Sequence, residues 1–390
     1  MGLLLYSSIF YQQGFSYLSP TLFFGTIIAL LIVLTNKNIK FNFELFLILS
    51  APLLLSVLTS IIGLIFQNFD SYYFFLSLTT LFHHMVYITL FVFLFSSLKK
   101  SYSLFTLQSA MLVLSFFGFL QLFQYQFNLN VFHLRATHPA FAGHMGEIFG
   151  GDYSGATFRI SGLFQEPGDL TMFLSPLILL IYFHYDFKRS FSLGIISVLL
   201  FNFSRGLSGI VAMVCTILFI NLNRLVNLRY LMIIGFMLTL FIFNYSERLS
   251  YIIQGNDPSF NMRFLTITSG IEYIYQDGSD FFFGKGLGSS AEINLNTGDT
   301  SIKSDYIRIL FEQGLVGLSL YTVYVMYILS FYRHKKTFIA IFVYFLMLGI
   351  LGDTMSLFYR YIFLSMAFLS ISHRNIEERS EKEKNLIYSN

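Results

Sequence analysis

The chain of 390 residues has no tryptophan, one cysteine, six prolines and only 12% charged residues. Each scarcity excludes something. A soluble globular domain carries about 25% charged residues, so a chain with half that share, 55% hydrophobic residues and mean hydropathy +0.66 is not one. The lone cysteine, Cys215, excludes an intramolecular disulfide and a cysteine metal cluster. It lies in an apolar run, where a thiol behaves as a small hydrophobe. The net charge of +3 is small and scattered, so nucleic acid is not implied. The N-terminus has no basic n-region before its first long apolar run, which reads as an anchor rather than a cleaved signal. Alternating segments of about 10 residues, the mark of a transmembrane barrel, are missing from runs such as Met111–Leu120 and Leu231–Phe243. No solenoid-type repeat is visible. Against the missing tryptophan stand 49 phenylalanines and 25 tyrosines. The phenylalanines read first as lipid-facing filler.

What is present is a succession of apolar runs, about 20 residues being enough to cross a bilayer as a helix. The spans fall at 15–35, 44–66, 72–97, 103–126, 168–186, 190–203, 206–222, 229–245, 307–331, 337–352 and 355–372. Residues 2–12 extend the first span or form a further, tilted one. The expected fold is an all-α, polytopic membrane protein of 11–12 helices. Residues 1–372 make one integral membrane domain and 373–390 a polar tail.

Orientation follows from Lys and Arg in short loops. Lys37 and Lys40, Lys99 and Lys100, Lys188 and Arg189, Arg224 and Arg229, and Arg333, Lys335 and Lys336 occupy alternate loops, and Arg374, Arg379, Lys382 and Lys384 of the tail continue the series. These loops are expected on the cytoplasmic side. Gln67–Asp70 and Asp353–Thr354 carry no Lys or Arg. Two long polar interruptions, 128–167 and 246–305, then fall on the opposite face. Long segments translocate largely regardless of charge, so their arginines and lysines call for a ligand-based explanation.

Arg159 precedes Glu166 and Pro167 at the mouth of a span. A guanidinium matches phosphate oxygens bidentately, so Arg159 reads as a holder of a lipid diphosphate head group ahead of the alternative, a surface arginine at headgroup level. Pro167 suits a first helical turn, and Glu166 and Asp169 are favoured beside a helix N-terminus as caps or as functional carboxylates. Arg205 occupies a tight turn, Ser204-Arg205-Gly206, close to the apolar zone, where a charge faces protein or water. His133, His138 and His144 fit no zinc spacing, and no metal is expected. Arg135 and Gly146 form an R-x10-G pattern that Arg224 and Gly235 repeat by accident. Phe283-Gly-Lys-Gly-Leu-Gly288 lacks the Gly-Lys-Ser/Thr of a nucleotide loop and reads as a turn diving back towards the bundle. Arg308 and Glu312 are i,i+4 neighbours expected to pair. Lys303 and Asp305 stand at the mouth of the ninth span, Asp305 as a cap or a base. His83, His84, Asp353 and Arg360 are further polar groups in or near the spans, without a common motif.

Arg159-x-Ser-Gly-x-Phe-x-Glu166-Pro, Ser204-Arg205-Gly206, Gly284-x-Gly-x-Gly and Lys303-Ser-Asp305-Tyr306…Glu312-x-Gly314-Leu-x-Gly317 together resemble the Wzy-type O-antigen polymerases, in the superfamily shared with the O-antigen ligases. The ligases usually carry His-Asn where this chain has Lys303-Ser304, which favours polymerase. The resemblance implies a glycosyltransferase of the bacterial inner membrane with a periplasmic catalytic face. It joins undecaprenyl-diphosphate-linked oligosaccharide repeats without nucleotide or other cofactor, in membrane lipid and alongside a chain-length regulator. Under it, Arg159, Arg205, Arg263, Lys303 and Arg135 neutralise diphosphate, Arg205 also being catalytic, and Glu166 or Asp305 orients or deprotonates the acceptor hydroxyl. Tyr153, Tyr251 and Tyr273 are candidates to stack on sugars. The rivals are a ligase that transfers polymer to a lipid A core and a flippase for the lipid-linked repeat.

Overall fold

A computed structural model describes residues 20–35, 40–66, 71–97, 104–127, 164, 167–184, 207–220, 246, 250, 252–255, 258–275, 278–290, 302, 304–352, 354 and 359–369. The regular elements are α1 (Pro20–Thr35), α2 (Phe43–Phe66), α3 (Ser71–Ser97), α4 (Leu104–Phe127), α5 (Pro167–His184), α6 (Leu207–Ile220), α7 (Pro258–Tyr275), α8 (Gly278–Phe283), α9 (Asp305–Phe331), α10 (Lys336–Leu351) and α11 (Tyr359–Leu369). Among the described residues there is no strand. Three segments, Phe43–Gly63, Ser77–Ser97 and Asp305–Phe331, are long and apolar enough to cross a membrane. Six shorter helices are equally apolar in character. The spans expected at 190–203 and 229–245, residues 2–12, the first interruption up to residue 163 and the tail lie outside the described residues.

Helices α1 to α6 and α9, α10 and α11 share one buried core. α10 packs against α5, α6 and α9, and α9 against α2. The phenylalanines divide between two roles. Phe91, Phe95, Phe173, Phe311, Phe338 and Phe363 are fully buried, whereas Phe75, Phe82, Phe116 and Phe127 are exposed. The filler expectation therefore covers only the second group. Phe173 meets the rings of Phe164, Tyr359 and Phe363 at centroid distances of 5.2–5.4 Å. Between helices in lipid no hydrophobic transfer energy is gained, so such contacts and interhelical hydrogen bonds carry association.

Two prolines show how the backbone is kept satisfied. A proline inside a helix has no N–H for the carbonyl four residues earlier. Pro52 in α2 frees the Ile48 carbonyl, and Tyr324 of α9 donates its hydroxyl there at 2.9 Å. Pro176 in α5 frees the Met172 carbonyl, and Tyr344 of α10 donates at 3.0 Å. In hydrocarbon a carbonyl left bare costs several kcal/mol, so each tyrosine fastens two helices while mending one. α5 and α6 also touch closely. A Cβ on Gly209 would stand 2.7 Å from the Thr171 backbone, and Ser175 donates to the Gly209 carbonyl at 3.1 Å.

The second interruption is not featureless. It folds into α7 and α8, both packed on α9. The expected unbroken span at 307–331 is in fact two helical pieces joined at Gly314, which has φ 64° and ψ −167°, a conformation open essentially only to glycine.

At the end of α9 remote from Asp305, Tyr332 donates to Glu44 Oε1 at 2.5 Å. Burial and this bond push the Tyr332 phenol well above its usual value. Lys335 lies 4.0 Å from the Phe368 ring centroid, and burial lowers the pKa of its ammonium against the pull of Glu44.

Candidate functional site

The break in α9 organises the site. A residue in the Gly314 conformation cannot continue the i→i−4 ladder, so carbonyls before it are released. The Gly284–Gly288 turn takes them. Lys285 N–H donates to the Phe311 carbonyl at 2.8 Å and Gly286 N–H to the Glu312 carbonyl at 3.0 Å. Gly284, Gly286 and Gly288 all have positive φ. A Cβ on Gly284 would meet the backbone of 312–314 at 2.4–2.5 Å, and one on Gly314 would meet the Phe282 carbonyl at 2.4 Å. The turn thus dives back to the bundle, as the sequence predicts, and its seat is the helix break.

Side chains secure the same place. Glu312 is buried; its Oε1 accepts from Arg308 Nε at 3.3 Å, the expected i,i+4 pair, and from Ser290 Oγ in a short bond. Gln313 reaches α2, donating to Ser56 Oγ at 2.9 Å and accepting from Thr59 Oγ1 at 3.2 Å. Gly317 leaves room for Gln313, whose Cβ would lie 2.3 Å from a Cβ at that position. Glu312, Gly314 and Gly317 therefore each have a physical reason to stand where they do.

Two turns earlier, about 10 Å along the helix, Asp305 begins α9 and is buried. The preceding Ser304 is extended, makes no side-chain cap, and donates to the Gly349 carbonyl at 3.3 Å. Asp305 turns to another segment: its Oδ1 accepts the Thr354 N–H at 3.0 Å and its Oδ2 the Thr354 hydroxyl. Gly349 permits this approach, since a Cβ there would stand 2.7 Å from Oδ2. Arg360 Nη1 donates to Thr354 Oγ1 at 3.4 Å, and the guanidinium lies 5.2 Å from the centroid of the Tyr361 ring. The Tyr361 hydroxyl is 3.0 Å from His84 Nδ1 on α3. Asp305, Thr354, Arg360, Tyr361 and His84 thus form a buried polar string joining α9, α11 and α3.

Of the residues singled out in the sequence, Asp305, Arg360 and His84 are brought together, whereas His83 is exposed. Arg263 belongs to α7, but its side chain lies outside the described residues, as does that of Tyr273. Arg135, Arg159, Glu166, Arg205, Lys303, Tyr153, Tyr251, Asp353 and the three histidines of the first interruption lie outside them too. Among the described residues no group of three or more His, Cys, Asp or Glu could hold a metal ion. The sequence reading passed over Thr354, Tyr361, Gln313 and Ser290. Pro52 and Pro176 were the available signal for the tyrosines that mend α2 and α5.

The architecture defines a helical protein with helices of membrane-crossing length and a buried polar site at one end of a broken helix. No protein-family model, no curated protein and no solved structure matches the chain.

Proposed function

We propose that this chain is a Wzy-type polysaccharide polymerase of the bacterial inner membrane, with the Asp305 end of α9 on the periplasmic face. The observation that carries the reading is the seating of the Gly284–Gly288 turn on the break at Gly314. It joins two of the motifs on which the family resemblance rests and gives each glycine a steric purpose. Alternation of basic loops supports the orientation.

In the proposed reaction a hydroxyl of one repeat attacks the anomeric carbon of the other, growing chain. The new C–O bond forms as the bond to undecaprenyl diphosphate breaks, the diphosphate leaving with the electron pair and the hydroxyl proton passing to a carboxylate or water. Cations aimed at the departing charge are the efficient catalyst. That role is assigned to Arg159, Arg205 and Arg263, with Lys303 and Arg135 behind them, and the carboxylate role to Glu166 or Asp305. The burial of Asp305 and its bonds to Thr354 suit an orienting carboxylate. Glycolipids of a deletion strain test the reading. Lipid A core capped by single repeats is the expected outcome; long polymer accumulating on the carrier would identify a ligase instead.

The break in α9 and the buried string favour one other reading, a flippase for the lipid-linked repeat, because transporters build sites from discontinuous helices. Translocation of a fluorescent lipid-linked repeat across vesicles, without polymer formed, would select it.

A further inference from the structure

Arg360 is the only arginine or lysine among the described residues whose side chain is buried. Removing a guanidinium from water costs several kcal/mol even after relaxation, and its five N–H donors need acceptors. The partners of Arg360 among the described residues are meagre: one long bond to Thr354 and the face of Tyr361. Thr354 gives its own proton to Asp305, so the carboxylate balances the guanidinium only through an intervening hydroxyl.

Beside Arg360 is a cavity of about 30 Å³ between α2, α9, α10 and α11. About 10–15 Å³ admits one water-sized group, so it takes one or two oxygens. Its polar lining is Arg360, Thr354, Tyr321, Tyr324 and Tyr361. The hydroxyls of Tyr324 and Tyr361 are engaged with Ile48 and His84. Tyr321 makes no hydrogen bond among the described residues, which leaves its hydroxyl as a second donor beside the guanidinium. The remaining lining, including Pro52, Leu346 and Leu364, is apolar. Two donors, one of them cationic, in an apolar surround of low dielectric suit an anionic oxygen.

We propose that Arg360 and Tyr321 form a subsite for a phosphoryl oxygen of a lipid phosphate or diphosphate. The subsite deepens the polymerase reading and rests on it for the owner of that phosphate. Undecaprenyl diphosphate, uncharged undecaprenol and inorganic diphosphate, titrated against the purified full-length protein in detergent, test it. Undecaprenyl diphosphate should bind most tightly. Arg360→Met should weaken it about 10- to 100-fold, the worth of a charged hydrogen bond, with Arg360→Lys in between and Tyr321→Phe weakened about threefold or more. None of these substitutions should change the affinity for undecaprenol. Wild-type affinity in a monodisperse Arg360→Met protein would overturn the subsite. If that variant does not fold, wild-type affinity in Tyr321→Phe overturns it instead. Equal affinity for inorganic diphosphate, lost in the same variants, would uphold the oxyanion site and overturn the lipid source. Binding intact with no polymer formed would leave the subsite standing and remove the polymerase. Polymer formed normally while Arg360→Met binds as wild type would do the reverse.

Discussion

At the scale of single residues, the buried charges have the greatest consequences. Asp305 compensates Arg360 through Thr354, so removing the carboxylate leaves the guanidinium without that balancing charge. Breaking a buried pair costs roughly 3–5 kcal/mol. Asp305→Asn should therefore lower the melting temperature in detergent sharply, and Thr354→Val, which spares the backbone donor, by about 1–3 kcal/mol in stability. Equal, small effects of the two would contradict the string. Arg205→Ala should abolish polymer while leaving protein level and membrane insertion unchanged, whereas Arg224→Ala should be near neutral. Immunoblots of membranes beside polysaccharide gels check both. Normal polymer from Arg205→Ala would end its proposed role.

Among the elements, α9 is the organiser. Gly314→Ala would place a methyl group 2.4 Å from the Phe282 carbonyl in a backbone conformation that costs an alanine about 1–3 kcal/mol before any clash. Loss of monodisperse protein on size exclusion is expected; a normally folded, active variant would mean that the turn does not seat on the break. The proline repairs yield a sharper test. Tyr344→Phe should destabilise the wild type by about 1–2 kcal/mol. In a Pro176→Ala background, where residue 176 regains its N–H, that cost should shrink towards zero. Equal costs in both backgrounds would show that the tyrosine does not serve the freed carbonyl. The edges of α2, α3 and α4 were legible in the sequence because each helix coincides with an apolar run. The break was not, since a glycine inside an apolar run reads as an ordinary member of it and its φ is set by the turn packed against it. α7 and α8 were hidden for the opposite reason. Their residues are mixed in polarity, and they become helices by leaning on α9.

For the whole molecule, the buried string spans residues 84 to 361, a separation that no local pattern encodes. Asp305, Arg360 and His84 each stood out as polar groups in apolar surroundings. Their connection did not, because Thr354 is an unremarkable residue between two apolar runs. The alternation of basic loops makes a claim at this scale. Cys215 is the only cysteine, so Cys215→Ala supplies a clean background for mapping. In intact cells, a membrane-impermeant maleimide should label Ser301→Cys and spare Ser380→Cys until the membrane is opened. The reverse pattern would invert the protein and remove the periplasmic site. The most direct test of the central claim is reconstitution. The purified chain in proteoliposomes, given the undecaprenyl-diphosphate-linked repeat of its own strain and no nucleotide, should yield a ladder of lipid-linked oligomers and one undecaprenyl diphosphate released per bond formed. Repeats that stay monomeric while moving across the bilayer would contradict it.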